Sequence, residues 1–465
     1  MTSPANTVAV VGAGPAGMAA AVEAALAGAR VTLIDSAARI GGQFWRHGPA
    51  GVAADRDLHH DIATFTELSD DLDRLQQTGR LRHLPNHHVW SLTADDRGCR
   101  VHAVDRTHRP TEVTVDADRL VLAVGAYDRQ VPFPGWELPG VMTVGAVQAL
   151  LKGSGVLAGR RILVAGTGPF LLPVAVGIAR RGGEVVGVYE ANHPAGWLRH
   201  STGLVSEYRK AAEAAGYAGA LARHRIPLRH RSVVTAARGT DRVEQVTVAS
   251  LTRDGQLKPG PSRTIPVDVL AVGYGFAVQS ELPRQAGCAM HPTVDQTLAV
   301  TTNDQQRTSN PRVFAAGETT GVGGAQLAVV EGRIAGSYAG GRSSHPAGLD
   351  RQRQRLRRFA AAMHAVYPVP SAWMSGLTPD TIVCRCEEVT VADIDAALAL
   401  GARDTRTAKL LSRSGMGWCQ GRQCAYATAC LVAHRTAQPP DFANGTDRPV
   451  ATPIPLGVVA ESVSR

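Results

Sequence analysis

The stretch that most constrains this chain is Thr7 to Gly42, TVAVVGAGPAGMAAAVEAALAGARVTLIDSAARIGG, where glycines punctuate an apolar run at one fixed spacing. Thr7 to Val11 is a continuous apolar run of the buried-strand type. Gly12, Gly14 and Gly17 follow as G-x-G-x-x-G, with Pro15 and Ala16 between them, and an Ala-rich helix runs unbroken to Gly28. In such a unit the first glycine allows a tight turn, the second lets backbone approach a pyrophosphate, and the third lets helix pack on strand. The anion rests on the helix N-terminus, where free N–H groups and the dipole meet it. The second strand, Arg30 to Ile34, ends at Asp35, placed to accept hydrogen bonds from ribose hydroxyls, which argues for an unphosphorylated ribose. A glycine-rich packing turn is the bland alternative. Strand, glycines, helix, strand and acid in that order favour the dinucleotide.

A chain of 465 residues has room for about two to four domains, and a mean hydropathy of −0.07 suits a water-soluble globular protein. Seven cysteines, four of them crowded near the C-terminus, do not make a disulfide framework, so the expectation is a reducing, cytoplasmic setting, with Cys99 and Cys288 as inert core thiols. The net charge of +9 comes from scattered arginine without interleaved aromatics, which speaks against nucleic acid and suits anionic cofactors or an acidic partner. Neither a charged secretory leader nor an integral membrane segment is read, and the N-G-T at Asn444 is then no glycosylation site.

His47 to Val115 is mixed and polar, with a helix expected at Ile62 to Gln77 and short strands after it. Arg119 to Gly125, RLVLAVG, is a strand entering a glycine turn, and Asp268 to Gly275, DVLAVGYG, repeats it. Between them lies a second nucleotide-type unit: strand Arg161 to Ala165, a turn at Gly166, Thr167, Gly168 and Pro169, a helix to about Arg181, and a strand Glu184 to Glu190. Here Leu171 stands where the third glycine belongs, so helix and strand are held apart and a pyrophosphate would be gripped less well. Glu190 suits a ribose, and no arginine follows closely to welcome a 2′-phosphate. NAD or ATP at Gly166, Gly168 and Glu190, and a domain retained only as scaffold, both stay open; NADP is disfavoured.

The R-x-G-G turn formed by Arg39, Gly41 and Gly42, followed by Gln43, resembles the turn that continues along the cofactor in two-dinucleotide flavoproteins. That resemblance implies FAD, and it carries over to Gly125, to Gly317 and Glu318 after the buried strand of NPRVFAAGE, and to Gln326 at the start of the following helix. Aspartate is usual in those families where this chain has Glu318. No C-x-x-C or C-x4-C lies near Gly42, which sets disulfide reduction aside. The fold expected is α/β: an FAD domain assembled from residues 1–130 and 270–345, a second nucleotide-binding-like domain at 131–269, a connector at 346–379, a small cysteine domain at 380–435 and an extended Pro-rich tail at 436–465. Within the connector, Arg351 to Arg358 reads as a solvated face or a docking surface. Trp45, Arg46 and His47 read as packing or exposed groups rather than catalytic ones.

Cys384, Cys386, Cys419 and Cys424 form C-x-C and C-x4-C with a helix, Val391 to Leu400, between the pairs. Four thiolates fit zinc or a [2Fe-2S] centre equally by count, and the C-x-C spacing tilts mildly toward iron. Gly415, Gly417 and Gly421 let backbone fold over the sulfurs, and Arg385, Arg413 and Arg422 offset cluster charge. Cys430 lies outside the pattern. The motifs C-R-C-E-E-V-T and G-M-G-W-C-Q-G-R-Q-C resemble the bacterioferritin-associated-ferredoxin-type [2Fe-2S] domain. Together with G-G-Q-F-W-R at Gly41, nearly the whole chain resembles the FAD-containing subunits of hydrogen cyanide synthase, opine oxidases, dye-linked proline or hydroxyproline dehydrogenases and heterotetrameric sarcosine oxidase.

The resemblance implies an electron-transferring FAD and [2Fe-2S] subunit of a heteromeric amino-acid, opine or imino-acid dehydrogenase. A second flavin-containing subunit would oxidise the C–N bond, and a small third subunit would complete the assembly. Two other functions compete: a self-contained NADH-dependent flavin and iron–sulfur reductase, and a non-enzymatic docking subunit with a vestigial flavin site.

Overall fold

A computed structural model describes residues 6–49, 58–200, 208–443 and 450–463. Two parallel five-stranded sheets dominate. In the first, the strands run in the order Val313–Ala315, Arg119–Leu122, Thr7–Val11, Arg30–Ile34, Leu81–Leu84, every neighbouring pair parallel. In the second the order is Leu228–His230, Glu184–Glu190, Arg161–Gly166, Val269–Gly273, Val141–Thr143. Each sheet is accompanied by a three-stranded antiparallel meander, His87–Asp95 to Thr111–Ala117 for the first and Ser232–Arg238 to Arg263–Pro266 for the second. This is the two-dinucleotide α/β architecture expected. The helix at Ile62–Gln77 is as expected too, and buries Leu68, Leu72 and Leu75 along one face.

Strand Val313–Ala315 arrives from the far side of the second unit, and glycine spacing explains why it docks where it does. The helix after it, Ala325–Ala339, lies along the first helix, Pro15–Leu26, with Gly332, Gly336 and then Gly340 against Ala16, Ala20 and Ala24. A Cβ on Gly332 or Gly336 would sit 2.2 or 2.3 Å from the carbonyl oxygen of Ala16 or Ala20, so only glycine permits this approach. The small-residue stripe therefore clamps the C-terminal return onto the first nucleotide unit and buries a dense alanine and valine core. At close-packed density such a contact tolerates no added methylene without backbone movement.

The crossings between the two sheets pair with each other, Ala126–Asp128 running antiparallel to Phe276–Val278. The second sheet keeps Val269–Gly273, so the return to the first falls at 274–278 rather than at the expected 270. The connector carries a helix at Leu349–Val366 and a short one at Ala372–Ser375. The cysteine lobe is a two-stranded hairpin, Ile382–Cys384 with Val389–Thr390, and three helices, Val391–Ala399, Thr405–Ser412 and Ala425–Thr436. Its first two helices open on capping boxes, Thr390 with Asp393 and Asp404 with Thr407, which satisfy the orphan N–H groups of so short a pair. Its core of Val383, Ile394, Leu431 and Val432 is continuous with Trp373 and with Tyr274 of the return crossing.

The tail differs from the extended segment expected. The Ala451 N–H donates to the Trp90 carbonyl at 2.7 Å, tying the tail to the first meander, and Leu456–Val463 is helical. Val458 and Ala451 are buried against the chain's own body. Asn444 lies outside the described residues. Among the described residues no helix is long and apolar enough to cross a membrane.

Candidate functional site

At the first glycine turn the three glycines divide into two kinds. A Cβ on Gly12, at φ +102°, would lie 2.3 Å from the Ala123 oxygen, and one on Gly17 would lie 1.7 Å from the Gly12 oxygen, so both are demanded by packing. Gly14 is different. Its Cβ would meet only the Gly42 Cα, at an ordinary 3.8 Å. Gly42, at φ +59°, faces it as bare backbone, and Gly41, at φ +103°, is wedged under Trp45 while its N–H donates to the Ala13 carbonyl at 2.7 Å. Gly42 packs on Gly14, a Cβ there falling 2.8 Å from the Gly14 Cα, so the pair presents bare backbone at the start of a helix whose N-cap has no side-chain hydrogen bond and whose first residue is Pro15. The uncapped N–H groups and the missing side chains fit a pyrophosphate.

Asp35 is buried at the end of the second strand, with its carboxyl raised by desolvation. It accepts from the Ala13 N–H and, at 2.6 Å, from the Ala37 N–H, so it ties the glycine turn to the strand end. A carboxylate has about four acceptor sites, which leaves two for a ribose. Arg39 and Gln43 are on the exposed rim, Arg39 donating to the His47 carbonyl and Gln43 accepting from Arg46. Trp45 is core, as expected.

Gly125 (φ +81°) and Gly317 (φ +73°) come to this site from distant parts of the chain. The Gly125 N–H donates to Thr319 Oγ1 at 3.3 Å, and a Cβ on Gly317 would strike the Cβ of Ala16 at 2.8 Å. Glu318 accepts from the Gly323 and Gly324 N–H groups at 3.0 and 2.9 Å, with burial pushing its carboxyl up to about 7. Its extra methylene, relative to aspartate, reaches the loop before the Ala325–Ala339 helix; Gln326 is exposed on that helix's first turn. The loop has supports that sequence reasoning missed. Glu331, fully buried, accepts from the Gly317 N–H at 3.0 Å and the Thr320 hydroxyl at 2.7 Å, and pairs with Arg357 of the connector at 2.6 Å. Its signal was a lone acid inside the apolar run AVVEGRIAG. The arginine-rich segment is therefore no plain solvated face, since Arg353 is also buried and paired with Asp304 and Asp350.

At the second turn Gly166 is required by packing, a Cβ there falling 1.7 Å from the Gly273 oxygen. Leu171 is buried in the third-glycine position. Glu190 is 5% exposed, accepts from the Gly168 and Asn192 N–H groups at 2.8 and 2.9 Å, and is pushed up to about 7 by burial. Connector backbone lies over this turn: Thr167 Oγ1 donates to the Tyr367 carbonyl at 3.2 Å.

In the cysteine lobe the pairs that sequence separates by more than thirty residues come together, Cys384 against Cys424 and Cys386 against Cys419. Cys384 is drawn down to about 6 by the hydrogen bond from Cys424 and then by amide N–H groups, among them Gly415, which approaches its sulfur at 3.5 Å. Cys424 is pushed up in return. A Cβ on Gly417 would lie 2.4 Å from that of Cys386 and the Gly415 N–H reaches the Cys384 sulfur, so these two bring backbone onto the thiols, while Gly421 shows a positive φ. Among the described residues no three His, Cys, Asp or Glu side chains stand together at metal-binding spacing. The donor chemistry nevertheless fits a thiolate-held centre: four thiols in one lobe, two buried, with N–H groups aimed at sulfur. The arginines are more committed than expected. Arg413 pairs with Glu387 at 2.8 Å, Arg422 with Glu281 at 2.9 Å, and Arg385 lies over Trp136. Cys99 and Cys288 are buried core thiols and Cys430 packs beside Tyr426, all three raised by burial.

The lobe sits on the crossing strands. Arg422 Nε donates to the Tyr127 hydroxyl at 2.8 Å, Tyr426 donates to Gln296 at 3.1 Å, and the Arg129 guanidinium, paired with Asp295 at 3.1 Å, lies over the Tyr426 ring. A cavity of about 120 Å³ lies between them, lined by Tyr127, Arg129, Glu281, Arg422 and Cys424.

Residues 6–333 match the pyridine nucleotide-disulphide oxidoreductase family, and residues 378–462 match the sarcosine oxidase A3 domain. The chain is 35% identical to hydrogen cyanide synthase subunit HcnB of Pseudomonas protegens, covering 89% of each chain. It is 31% identical to an opine oxidase subunit of Rhizobium meliloti over 98% of this chain and 87% of that one. Among solved structures, the L-proline dehydrogenase of P. horikoshii superposes with a TM-score of 0.69 at 18% identity, over 98% of this chain and 80% of that one, a likeness of fold.

Proposed function

This chain belongs to the pyridine nucleotide-disulphide oxidoreductase family and stands with HcnB and the opine oxidase subunits within it, and from that premise we propose that it is the electron-relay subunit of a heteromeric amino-acid, opine or imino-acid dehydrogenase. It is an FAD-dependent oxidoreductase, and the relay would run between FAD at the Gly12 site and a [2Fe-2S] centre on Cys384, Cys386, Cys419 and Cys424. A partner flavin subunit would oxidise the C–N bond, with a small third subunit beside it. The observation that carries this reading is the seat of the cysteine lobe. Arg422, between the cluster cysteines Cys419 and Cys424, donates to Tyr127, which stands two residues beyond Gly125 of the FAD site.

The bare backbone of Gly14 at the helix start would meet the pyrophosphate, Asp35 the ribose, and the loop from Gly317 the flavin end. When bound, FAD exchanges electrons singly or in pairs and the iron centre exchanges them singly. The protein's own part is to position and to insulate. Glu331 and Arg357 hold the Gly317 loop in place, and Arg422, Glu281 and Tyr127 hold the lobe against the crossing strands. The Gly415 N–H and burial of Cys384 and Cys424 would set the charge that the cluster can carry. Cys386 is exposed, so the lobe's outer side is open to a partner.

The test is to isolate the chain with and without the proteins that co-purify with it and to assay amino-acid, imino-acid and opine oxidation with an artificial acceptor. The complex should be active and the lone chain inert, while the lone chain still passes electrons from chemically reduced flavin to the iron centre. A lone chain that oxidises these substrates at the full rate of the complex would overturn the proposal.

A further inference from the structure

We infer that the second nucleotide cleft is filled by the chain's own connector and takes no pyridine or adenine nucleotide. In a unit of this kind the ligand lies beyond the carboxyl ends of the parallel strands, with its pyrophosphate at the first glycine turn and its ribose on the acid ending the second strand. Here that place holds Tyr367 and Pro368. Thr167 Oγ1 donates to the Tyr367 and Pro368 carbonyls at 3.2 and 3.5 Å, and Asn192 Nδ2 donates to the Pro368 carbonyl at 2.9 Å and to Thr167 Oγ1 at 2.6 Å.

Glu190 ties the Gly168 N–H to the Asn192 N–H much as Asp35 ties the first turn to its strand end, so what distinguishes this site is the connector lying over it. Glu190 is buried beneath the connector, with Tyr274 and Tyr367 close enough to feel its charge. The connector is also held from the side. Trp197 stacks on Phe359 with ring centroids 5.5 Å apart and meets Tyr367 edge-on, while a Cβ on Gly196 would come within 3.0 Å of Val366. A Cβ on Gly168 would meet nothing within 4 Å. A nucleotide would have to break the one hydrogen bond that the Thr167 hydroxyl shares between the Tyr367 and Pro368 carbonyls and the two that Asn192 Nδ2 donates, and would still find Leu171 in place of the third glycine.

The fold family's second dinucleotide is thus replaced by a peptide, and NADH is not this chain's reductant. Electrons reach it from a donor that docks elsewhere, such as a partner subunit. The location of the cleft rests on the two-dinucleotide reading above, but its closure does not depend on whether flavin or iron is present.

Amide hydrogen exchange of the full chain, isolated with its co-purifying subunits, tests this. The N–H groups of Gly168 and Asn192 should be protected, and NADH, NADPH or ATP at about 1 mM, enough to half-fill any site with a Kd near that value, should leave them unchanged within about twofold and should not bleach the flavin. Asn192→Ala, which removes two of the bridging bonds, should speed exchange at Gly168 about tenfold. Slower exchange at both amides with any of the nucleotides, bleaching by NADH, or no acceleration in the variant would overturn the inference. If Asn192→Ala does not fold, the nucleotide arms decide alone, and if the protein is colourless the exchange measurement still decides.

Discussion

Gly14→Ala separates a glycine kept for a ligand from one kept for packing, because the two neighbouring glycines of the motif differ so sharply in what a Cβ would meet. At Gly17 the methyl would lie 1.7 Å from the Gly12 oxygen, against a shortest tolerable approach of 3.0 Å, so turn and helix must separate by 3.0 − 1.7 = 1.3 Å. That is backbone on backbone, and overpacking of this kind costs about 1–3 kcal/mol or more. At Gly14 the methyl finds only the Gly42 Cα at 3.8 Å, and φ is −75°. Glycine's advantage at an N-cap and alanine's lower unfolded-chain entropy are each below about 1 kcal/mol and oppose one another, so the apo protein should be nearly unchanged. The methyl would instead cover the bare backbone at the helix start where a pyrophosphate would rest. Loss of one charged hydrogen bond, about 1.5–3 kcal/mol, weakens FAD about 10- to 100-fold. Thermal unfolding of flavin-stripped protein and FAD titration by fluorescence quenching measure the two effects separately. Gly14→Ala should lose affinity and keep its Tm; Gly17→Ala should lose both. A Gly14→Ala protein that binds FAD as tightly as the parent would refute the assignment of this turn.

Removing Arg422 as Arg422→Leu leaves Glu281, itself 14% exposed, without its partner, at a cost of about 3 kcal/mol to the docking of the lobe, and flash or stopped-flow reduction should show slower flavin-to-iron transfer with both cofactors still bound. Arg357→Met should lower Tm by an amount equivalent to about 1–3 kcal/mol and loosen FAD, because buried Glu331 loses a charged partner beside the Gly317 loop. Stability should also depend on the carboxyl of Glu190, which stands near 7 when folded against its ordinary 4.5. A raised acid favours the folded state while protonated, so this contribution is complete below about pH 4.5 and is lost as pH rises through about 7, a change of up to about 3 kcal/mol. Glu190→Gln should flatten the Tm profile between those values, and an unchanged slope would count against the burial of this carboxyl.

Local pattern carried much of this structure. Apolar runs of five or so residues bounded by glycine gave the strands at Thr7, Arg119 and Arg161, because a strand buried on both faces needs no partner to be recognised. The cysteine pairs were legible for a similar reason, as thiol spacing is local. What sequence did not reveal depends on contacts distant along the chain. Thr167 meets Tyr367 from 200 residues away, and nothing in T-G-P or V-Y-P announces it. Arg357 looked solvated because its acid is hidden in another helix, and the hold of Glu318 on the Gly323 and Gly324 N–H groups had no signal in the residues around it. The tail helix at Leu456–Val463 was missed because prolines dominate the segment before it.

The most direct test of the relay is a cofactor inventory of the full chain purified without exposure to oxygen, by flavin extraction, metal analysis and electron paramagnetic resonance after partial reduction. One FAD and two iron atoms per chain, with a signal abolished by Cys384→Ser while flavin content holds, is the result expected. A colourless protein, or zinc on the four cysteines, would contradict it.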